Sequence, residues 1–336
     1  MKGKLNVALC AVLLAMTLPG SGVASAEEQG PADASGFVPP IVTWNSTIFG
    51  QSITAKDDTI EIGADGSVVV SSLNGKGKVT GAHDGIAYYY TAFDPAANNF
   101  SLSADIEVLT YANDGDASKP KPNNQEGFGM MIRDAIGANG DSTVFASNMV
   151  YGGGYRGLLQ AVMREKVEES SGAGAKISSL PLNAKFPAKG TKFRLTIRKT
   201  NTGYHILLND DPASEKIFYQ PALMRVQDKT KLYAGFFAAR SASIKVTNIE
   251  LVFSDPKSDP PALPEPPKPI APELSILSPL ETSAGEYRLI VSANVDGVLT
   301  AAKGGAPVFA DARVSAGEEF VAAIPLSAGE NLIDFR

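Results

Sequence analysis

The segment FSLSADIEV, residues Phe100–Val108, alternates apolar and polar side chains along its whole length. Its apolar residues fall at every second position: Phe100, Leu102, Ala104, Ile106 and Val108. Successive side chains of a β-strand point to opposite faces, so these five share one face, while Ser, Asp and Glu side chains share the other. The pattern predicts a strand with one buried and one solvated face, as in a β-sandwich.

Similar strand signals recur from residue 41 to residue 253, where short segments rich in Val, Ile, Thr, Tyr and Phe are separated by Gly, Asn, Asp and Pro. The segment KFRLTIRK, residues 192–199, repeats the alternation with Phe193, Leu195 and Ile197 on one face and Arg194, Thr196 and Arg198 on the other. In SASIKVTNIELVF the apolar phase slips near Thr247 and Asn248, which predicts a β-bulge. We find no sustained helical periodicity and predict an all-β fold.

The composition excludes several classes of function. The chain has 336 residues, 44% of them hydrophobic, and a net charge of -6, which is typical of about two globular domains. Its acidic balance and scattered basic residues argue against nucleic acid as a partner. The one cysteine, Cys10, lies in the N-terminal apolar segment, so the rest of the chain has no thiol for a disulfide, a nucleophile or a metal site.

Residues 1–26 have the features of a secretory signal peptide. Lys2 and Lys4 precede the apolar run LNVALCAVLLAMTL, and the small residues Ala24, Ser25 and Ala26 provide a cleavage site. The apolar run is shorter than the ~20 residues that span a bilayer. The sequence therefore predicts a secreted, extracellular protein that is not held in a membrane after cleavage.

A proline-rich segment, residues 254–272, divides the rest of the chain. Proline at this density favours extended polyproline II structure, so we predict a semi-rigid linker between a domain at residues 38–253 and a second β-rich domain at residues 273–336. An immunoglobulin-like sandwich needs ~100 residues, more than the second segment offers. We therefore expect that domain to be truncated and the chain to be the N-terminal part of a longer secreted protein.

No catalytic constellation is predicted. His83 and His205 lie in separate segments without zinc-ligand spacing, and the chain has neither a G-x-S-x-G elbow nor a P-loop. Glu165, Glu168 and Glu169 precede a Ser/Gly-rich stretch, which favours a solvated loop over a catalytic carboxylate pair.

The segment YANDGDAS is a candidate calcium site. Asn113, Asp114 and Asp116 surround a glycine and offer the oxygen ligands that a hard cation prefers. The alternative is a solvated acidic turn between two strands, because no glutamate follows at the spacing of a bidentate ligand.

The stretch NNQEGFGMMIRDAIGANGDSTVFASNMVYGGGYRG, residues 123–157, contains the candidate carbohydrate-binding residues. Strand parity places Arg133 on one face with Met131, and Gln160 with Arg164 on one face of the following strand. Guanidinium and amide groups of this kind recognise sugar hydroxyls and uronate carboxylates, and a tyrosine adds a stacking surface. The predicted site residues are Arg133, Asn148, Gln160, Arg164, Arg240 and Tyr89. Trp44 is a further candidate stacking residue. The alternative is an ion pair between Arg133 and Asp134 at a strand end, with the tyrosines of IAYYYTAF in the core and at its rim.

Four stretches together resemble the concanavalin A-like, laminin G-type jelly-roll module. They are GKGKVTGAHDGIAYYYTAFDPAANNFSLSADIEV, NNQEGFGMMIRDAIG, SNMVYGGGYRG and LYAGFFAARSASIKVTNIEL. More narrowly, they are similar to the copy near the N-terminus of secreted bacterial pectate lyases. The segment YRLIVSANVDGVLTAAKGGAPVF resembles the Ig-like repeat that follows such modules. In that family the lyase itself is a parallel β-helix further along the chain that uses calcium and a basic residue, and no β-helix repeat is visible here.

The resemblance implies a concanavalin A-like jelly roll followed by a truncated Ig-like β-sandwich. It also implies a non-catalytic, carbohydrate-binding accessory region of a secreted pectate lyase, with an acidic polysaccharide such as pectin or polygalacturonate as its partner. Two alternatives stay open. The jelly roll could itself cleave a glycan, or it could be a structural or adhesive surface module with no glycan site.

Overall fold

The computed structural model describes residues 36–54, 56–73, 75–79, 81–112, 125–267, 272–278, 285–327, 331 and 333–335. These residues form β-strands joined by turns, with three-residue 3-10 helices at Pro212–Ser214 and Leu223–Arg225. The all-β prediction is confirmed, and the most helix-like part of the sequence, ALMRVQDKT, contains only the second of these short helices. Within the described residues no helix is long and apolar enough to cross a membrane.

The chain divides into two compact units, residues 1–264 and 265–336. Unit 1 contains an eight-stranded antiparallel sheet in the order β1-β5-β14-β7-β8-β9-β10, with β4 paired to β5. Its strands are β1 (Asn45–Gly50), β4 (Lys78–Val79), β5 (Asp84–Phe93), β7 (Gly127–Arg133), β8 (Met149–Tyr155), β9 (Leu158–Glu165), β10 (Lys176–Asn183) and β14 (Leu232–Ala239).

The second sheet of unit 1 is seven-stranded and antiparallel, in the order β13-β12-β11-β6-β15-β3-β2. Its strands are β2 (Asp58–Ile62), β3 (Val68–Ser72), β6 (Asn99–Tyr111), β11 (Lys192–Lys199), β12 (Tyr204–Leu208), β13 (Lys216–Phe218) and β15 (Ala242–Ser254). Runs of consecutive strands, such as β7–β10 and β11–β13, lie side by side in one sheet, and the chain crosses between the two sheets several times, as expected for a jelly-roll sandwich.

The core of unit 1 lies between the two sheets. The apolar residues of FSLSADIEV all face it, together with Phe193, Leu195 and Ile197 of β11. Phe128, Met130 and Ile132 of β7 meet them from the eight-stranded sheet. The alternation read from β6 and β11 therefore assigns their buried and solvated faces correctly.

The predicted bulge in β15 is also confirmed. Pairing of β15 with β6 shifts register between Thr247 and Glu250, and Asn248 there adopts a φ of +50°. A bulge adds one residue to a single strand and returns the alternation to the core in the opposite phase. Ile244 and Val246 before the bulge, and Leu251 and Phe253 after it, therefore all pack against the core.

The proline-rich segment begins on the surface of unit 1. The Asn201 side-chain amide donates to the carbonyl of Pro256 at 2.8 Å, and the Leu263 amide donates to the Thr202 hydroxyl at 3.1 Å. The Asn99 amide donates to the Asp259 carboxylate. Residues 255–263 are thus bound to the sandwich, and the boundary between the two units at residue 264 falls inside the segment predicted as a linker.

Unit 2 is an Ig-like β-sandwich of smaller size. One of its three-stranded sheets contains β16 (Leu274–Ile276), β17 (Glu286–Ala293) and β20 (Glu319–Pro325). The other contains β18 (Gly297–Lys303), β19 (Ala306–Val314) and β21 (Ile333–Phe335). Leu289 and Val291 of the first sheet pack with Leu299 of the second in a common core.

Candidate functional site

The outer face of the eight-stranded sheet, which points away from the core of the sandwich, contains the predicted carbohydrate-binding residues of β7 and β9. On each strand of this sheet, the residues that alternate with the core-facing residues point to the outer face. They form a second apolar cluster, which includes Tyr88, Met131, Tyr151, Val162 and Phe237. All of these side chains are 0% exposed. The outer face is therefore covered across the middle of the sheet instead of open to solvent.

Residues 134–147, the middle of the stretch that contains Arg133 and Asn148, supply part of this cover. They run beside β1, where the Gly140 amide donates to the Ile48 carbonyl and the Gly50 amide donates to the Asp141 carbonyl, both at 2.7 Å. The ring of Phe145 packs edge-on against Phe49, with ring centroids 5.1 Å apart. This segment thus closes the face beside β1.

A buried ion cluster lies beneath this cover. The Asp84 carboxylate accepts from Arg133 Nη2 at 2.9 Å and from Arg164 Nη1 at 2.7 Å, and all three side chains are 0% exposed. Arg133 Nε also donates to the Ala135 carbonyl, and Arg164 Nε donates to the Ser147 carbonyl. The guanidinium group of Arg133 lies 5.0 Å from the centre of the Phe49 ring, a cation–π contact.

The electrostatics of the cluster keep Asp84 ionised. Burial by itself raises the pKa of this carboxyl, but the charges of Arg164 and then Arg133 outweigh burial and hold its pKa below the ordinary value. Two guanidinium groups and one carboxylate leave the cluster with one net positive charge. Their donors point to Asp84 and to backbone carbonyls, so the cluster holds the sheet to its covering segment.

The other predicted site residues are engaged internally as well. The Asn148 amide donates to Asp134 at 2.6 Å and to the Val167 carbonyl at 2.8 Å, and the Gln160 amide donates to the Tyr155 carbonyl at 2.7 Å. Asn148 is 0% exposed and Gln160 is 5% exposed.

Arg240 and Tyr89 lie elsewhere. Arg240, at a φ of +55° in the turn between β14 and β15, donates to the Gln125 side chain at 3.1 Å. Tyr89 points to the opposite face, into the main core, where its ring stacks on Trp44 with centroids 5.0 Å apart.

These positions correct the prediction of an open polar groove. Arg133, Gln160 and Arg164 do share the outer face of one sheet, as the parity argument required, but they are buried and bonded within the protein. Asn148 precedes β8 at the parity of the core residue Val150, so it does not join them on that face. Tyr89 is on the wrong face for that surface. The alternative, an ion pair of Arg133 with Asp134, is not formed either, because Arg133 pairs with Asp84 while Asp134 accepts from Asn148 and the Gln227 amide.

The predicted calcium ligands Asn113, Asp114 and Asp116 lie outside the described residues. Among the residues that are described, no group of three or more His, Cys, Asp or Glu side chains is placed to hold a metal ion.

An aromatic pair, Tyr90 and Tyr233, remains accessible on the outer face. Both side chains are half-buried, and their rings meet edge to face with centroids 5.7 Å apart. Tyr90 also stacks on Tyr88 at 5.4 Å, which fixes its orientation. The exposed Asn45 lies opposite Tyr90 on the neighbouring strand β1. These residues offer a rigid ring surface with hydrogen-bonding groups at its edge, the combination that binds a sugar ring.

The hydroxyl groups of this pair stay protonated at neutral pH. Burial raises the pKa of Tyr90, and burial together with the charge of Asp228 raises the pKa of Tyr233. Both hydroxyls can thus donate as well as accept. The sequence contained a signal for Tyr90, because alternation along IAYYYTAF puts Tyr88 and Tyr90 on the face opposite Tyr89.

The fold defines a class: a jelly-roll β-sandwich followed by an Ig-like sandwich. Residues 44–256 match the pectate disaccharide-lyase N-terminal domain, and residues 275–336 match the pectate disaccharide-lyase central Ig-like domain. The chain therefore belongs to the pectate disaccharide-lyase N-terminal domain family, and the resemblance drawn from the sequence is confirmed.

Two curated relatives extend this result. The chain is 41% identical over 289 residues to pectate lyase L of Thermoclostridium stercorarium, which covers 82% of this chain and 22% of that protein. It is 29% identical over 321 residues to pectate disaccharide-lyase of Dickeya chrysanthemi, covering 89% of this chain and 42% of the relative. The chain thus spans less than half the length of these two relatives.

Solved structures with a similar arrangement include alginate lyase A1-II′, a member of polysaccharide lyase family 7, with a TM-score of 0.39 and 10% identity over 58% of this chain and 83% of the other. The carbohydrate-binding module CBM66 from Bacillus subtilis matches with a TM-score of 0.34 and 11% identity over 62% of this chain and 94% of the module.

Proposed function

We propose that this chain is the non-catalytic, polysaccharide-binding accessory region of a secreted pectate-degrading enzyme. The observation that carries the proposal is the membership of both units in domain families of pectate disaccharide-lyase, in a chain that spans 22% and 42% of two such relatives. Bond cleavage would then belong to the rest of the enzyme, and unit 1 would keep the enzyme on its polymer.

The accessible aromatic pair is the best-supported contact surface for that polymer. Tyr90 and Tyr233 are half-exposed tyrosines packed against the buried cluster of the outer face, and stacking on Tyr88 orients Tyr90 before any ligand binds. A preorganised ring surface loses little side-chain entropy on binding. The buried arginines Arg133 and Arg164 contribute indirectly, by fixing the sheet from which the tyrosines project.

The Ig-like unit would act as a spacer between unit 1 and the catalytic part. The proline-rich sequence that follows residue 263 fits that role, since proline-rich chains are semi-rigid. We also propose that the protein is secreted, with removal of residues 1–26. Asn113, Asp114 and Asp116 would bind a calcium ion that bridges the protein to the polymer.

Affinity electrophoresis tests the binding function. The chain is run through native gels with and without polygalacturonate, and a neutral galactan of similar viscosity is the control polymer. We expect retardation by polygalacturonate only. Equal migration in all gels, with added calcium and with a chelator alike, would overturn the proposal.

An activity assay separates the accessory role from its enzymatic alternative. The same preparation is incubated with polygalacturonate and followed by the ultraviolet absorbance of unsaturated uronate ends and by reducing ends. We expect no product over the time in which a full-length relative degrades the polymer completely. Product formation by this chain would show that unit 1 is itself a glycan-cleaving enzyme.

A further inference from the structure

A small pocket at one end of unit 1 contains two basic side chains that the site described above does not use. Its volume is about 250 Å³, and it lies where β5 has ended and residues 219–231 lead into β14. Its walls include Pro95 just after β5, Lys199 at the end of β11, Arg225 and Pro256. A cavity of this size is below the ~300 Å³ of sites for drug-sized ligands, which suits a single sugar ring or a smaller molecule.

Lys199 is a buried cation with spare hydrogen-bonding capacity. It is 7% exposed, and its ammonium group donates to Asn99 Oδ1 at 2.6 Å and to the Asn98 carbonyl at 3.1 Å. An ammonium group has three donors, so one N–H has no protein acceptor among the described residues. A charged donor left unpaired at a pocket wall favours an incoming acceptor with negative charge.

Arg225 adds a second cation to the same pocket. It ends the 3-10 helix Leu223–Arg225 and is exposed, and no carboxylate of the described residues lies within ion-pair distance of it. Its charge acts on Lys199 in the same sense as burial. A guanidinium fork next to an ammonium group is a pattern that matches a carboxylate.

Neighbouring carboxylates only partly compensate these charges. Burial lowers the pKa of Lys199 to about 8, and the charges of Asp259 and Asp94 oppose that shift without cancelling it. Asp259 is already held by the Asn99 amide. Burial therefore makes the charged form of Lys199 costly, and an anion in the pocket would stabilise that form and raise its pKa.

We propose that this pocket binds the carboxylate of one uronate residue, with Arg225 and the third N–H of Lys199 as donors. This inference rests on the proposed function for the choice of a uronate over other carboxylates. The pocket lies at the end of the sandwich that also contains Tyr233, since Leu232 next to it pairs with Phe93, the last residue of β5. One acidic chain could thus meet the aromatic pair and the carboxylate pocket at the same end of unit 1.

Calorimetric titration of the whole chain with D-galacturonate tests the pocket, and the uncharged methyl ester of the same sugar is the matched ligand. We expect the ester to bind at least tenfold more weakly. Arg225→Gln removes an exposed cation without an ion-pair partner, so it should fold normally and bind galacturonate about tenfold more weakly. Lys199→Met should abolish binding.

Lys192→Met is the matched control, because Lys192 lies on the same strand, is 72% exposed and pairs with Glu107. Its loss removes the same charge and should leave binding unchanged. Equal affinity of the acid and its ester, or of the wild type and Arg225→Gln, would overturn the inference.

Polymer retention in the gel separates this inference from the proposed function. If polygalacturonate retards the wild type but Arg225→Gln binds galacturonate normally, the pocket is disproved and the accessory role stands. If galacturonate binds as expected but the polymer does not retard the chain, the pocket stands and the accessory role falls.

Discussion

The two sheets of unit 1 use arginine–carboxylate contacts in opposite surroundings. On the eight-stranded sheet, Arg133 and Arg164 share Asp84, and all three side chains are 0% exposed. On the outer face of the seven-stranded sheet, Arg194 contacts Asp105, Asp210 and Glu250, whose side chains are 43%, 59% and 64% exposed. In the sequence, the charged residues of both sets are scattered over separate segments, and nothing local distinguishes one set from the other.

The difference lies in what covers each sheet. Residues 134–147 and the segment around the buried Val167 cover the first set. Loss of one partner would therefore leave a buried charge with neither a counter-ion nor solvating water. Water solvates the second set, where exposed pairs contribute about 0–1 kcal/mol to stability. The number of ion pairs therefore does not indicate how much they stabilise either sheet. Their burial determines that contribution.

Replacement of the shared carboxylate should give the largest effect. Asp84→Asn leaves two buried guanidinium groups without their counter-ion, and we expect a loss of about 3–5 kcal/mol in the free energy of unfolding. Urea denaturation of both variants, followed by Trp44 fluorescence, measures it. Glu250→Gln, the matched change on the exposed set, should cost less than about 1 kcal/mol. Similar losses for the two variants would contradict the comparison.

Acid should remove the same interaction gradually. Because the pKa of Asp84 in the folded protein lies below its unfolded value, its contribution is complete above the unfolded pKa of about 3.9 and is lost as pH falls toward the folded pKa. We therefore expect the stability gap between wild type and Asp84→Asn to be constant from pH 7 to pH 5 and to narrow below pH 4. The raised pKa of Asp134, which burial causes, has the opposite sign and cancels in this difference. A gap that stays constant down to pH 2.5 would mean that Asp84 is not the ionised partner.

A smaller effect is expected from the glycines at which β7 and β8 approach closely. Gly153 of β8 has a φ of +152°, and a Cβ there would lie 1.9 Å from the Phe128 carbonyl oxygen on β7. Gly153→Ala should therefore cost about 2 kcal/mol or more, through both strain and collision. Gly140→Ala is the control, since Gly140 also has a positive φ, +82°, but nothing lies within 4 Å of its Cβ position. If the two alanine variants are equally stable, the close approach of β7 and β8 is not rigid.

Alternation in the sequence predicted the core-facing side of those strands whose other face is exposed to solvent. On β6 and β11 the apolar phase identified the core side, and the phase slip in β15 located the bulge. The same rule has less power on β7 and β8, because every residue of these strands is buried. Alternation correctly placed Arg133 and Arg164 on one face, yet it could not show that a loop covers that face.

The contacts of the predicted site residues could not be predicted from the sequence, because their partners lie far away along the chain. Asp84 lies 49 residues before Arg133 and 80 before Arg164, and nothing in its own segment marks it as their partner. Alternation along IAYYYTAF shows that Tyr89 and Tyr90 point to opposite faces, but not which of the two faces the core. Tyr89 does, because it stacks on Trp44, which also stacks on Phe236. The attachment of residues 255–263 to unit 1 depends on Asn99 and Asn201 in the same way, because their amides hold a segment that local composition describes as a free spacer.

The most direct measurement is the migration of the Tyr90→Ala/Tyr233→Ala double variant in native gels that contain polygalacturonate. These half-exposed rings lie outside the buried ion cluster, so the variant should keep most of its stability in urea while losing a stacking surface. We expect polygalacturonate to retard the wild type and the double variant to migrate as it does without polymer. Equal retardation of the two proteins would show that glycan binding belongs to another surface.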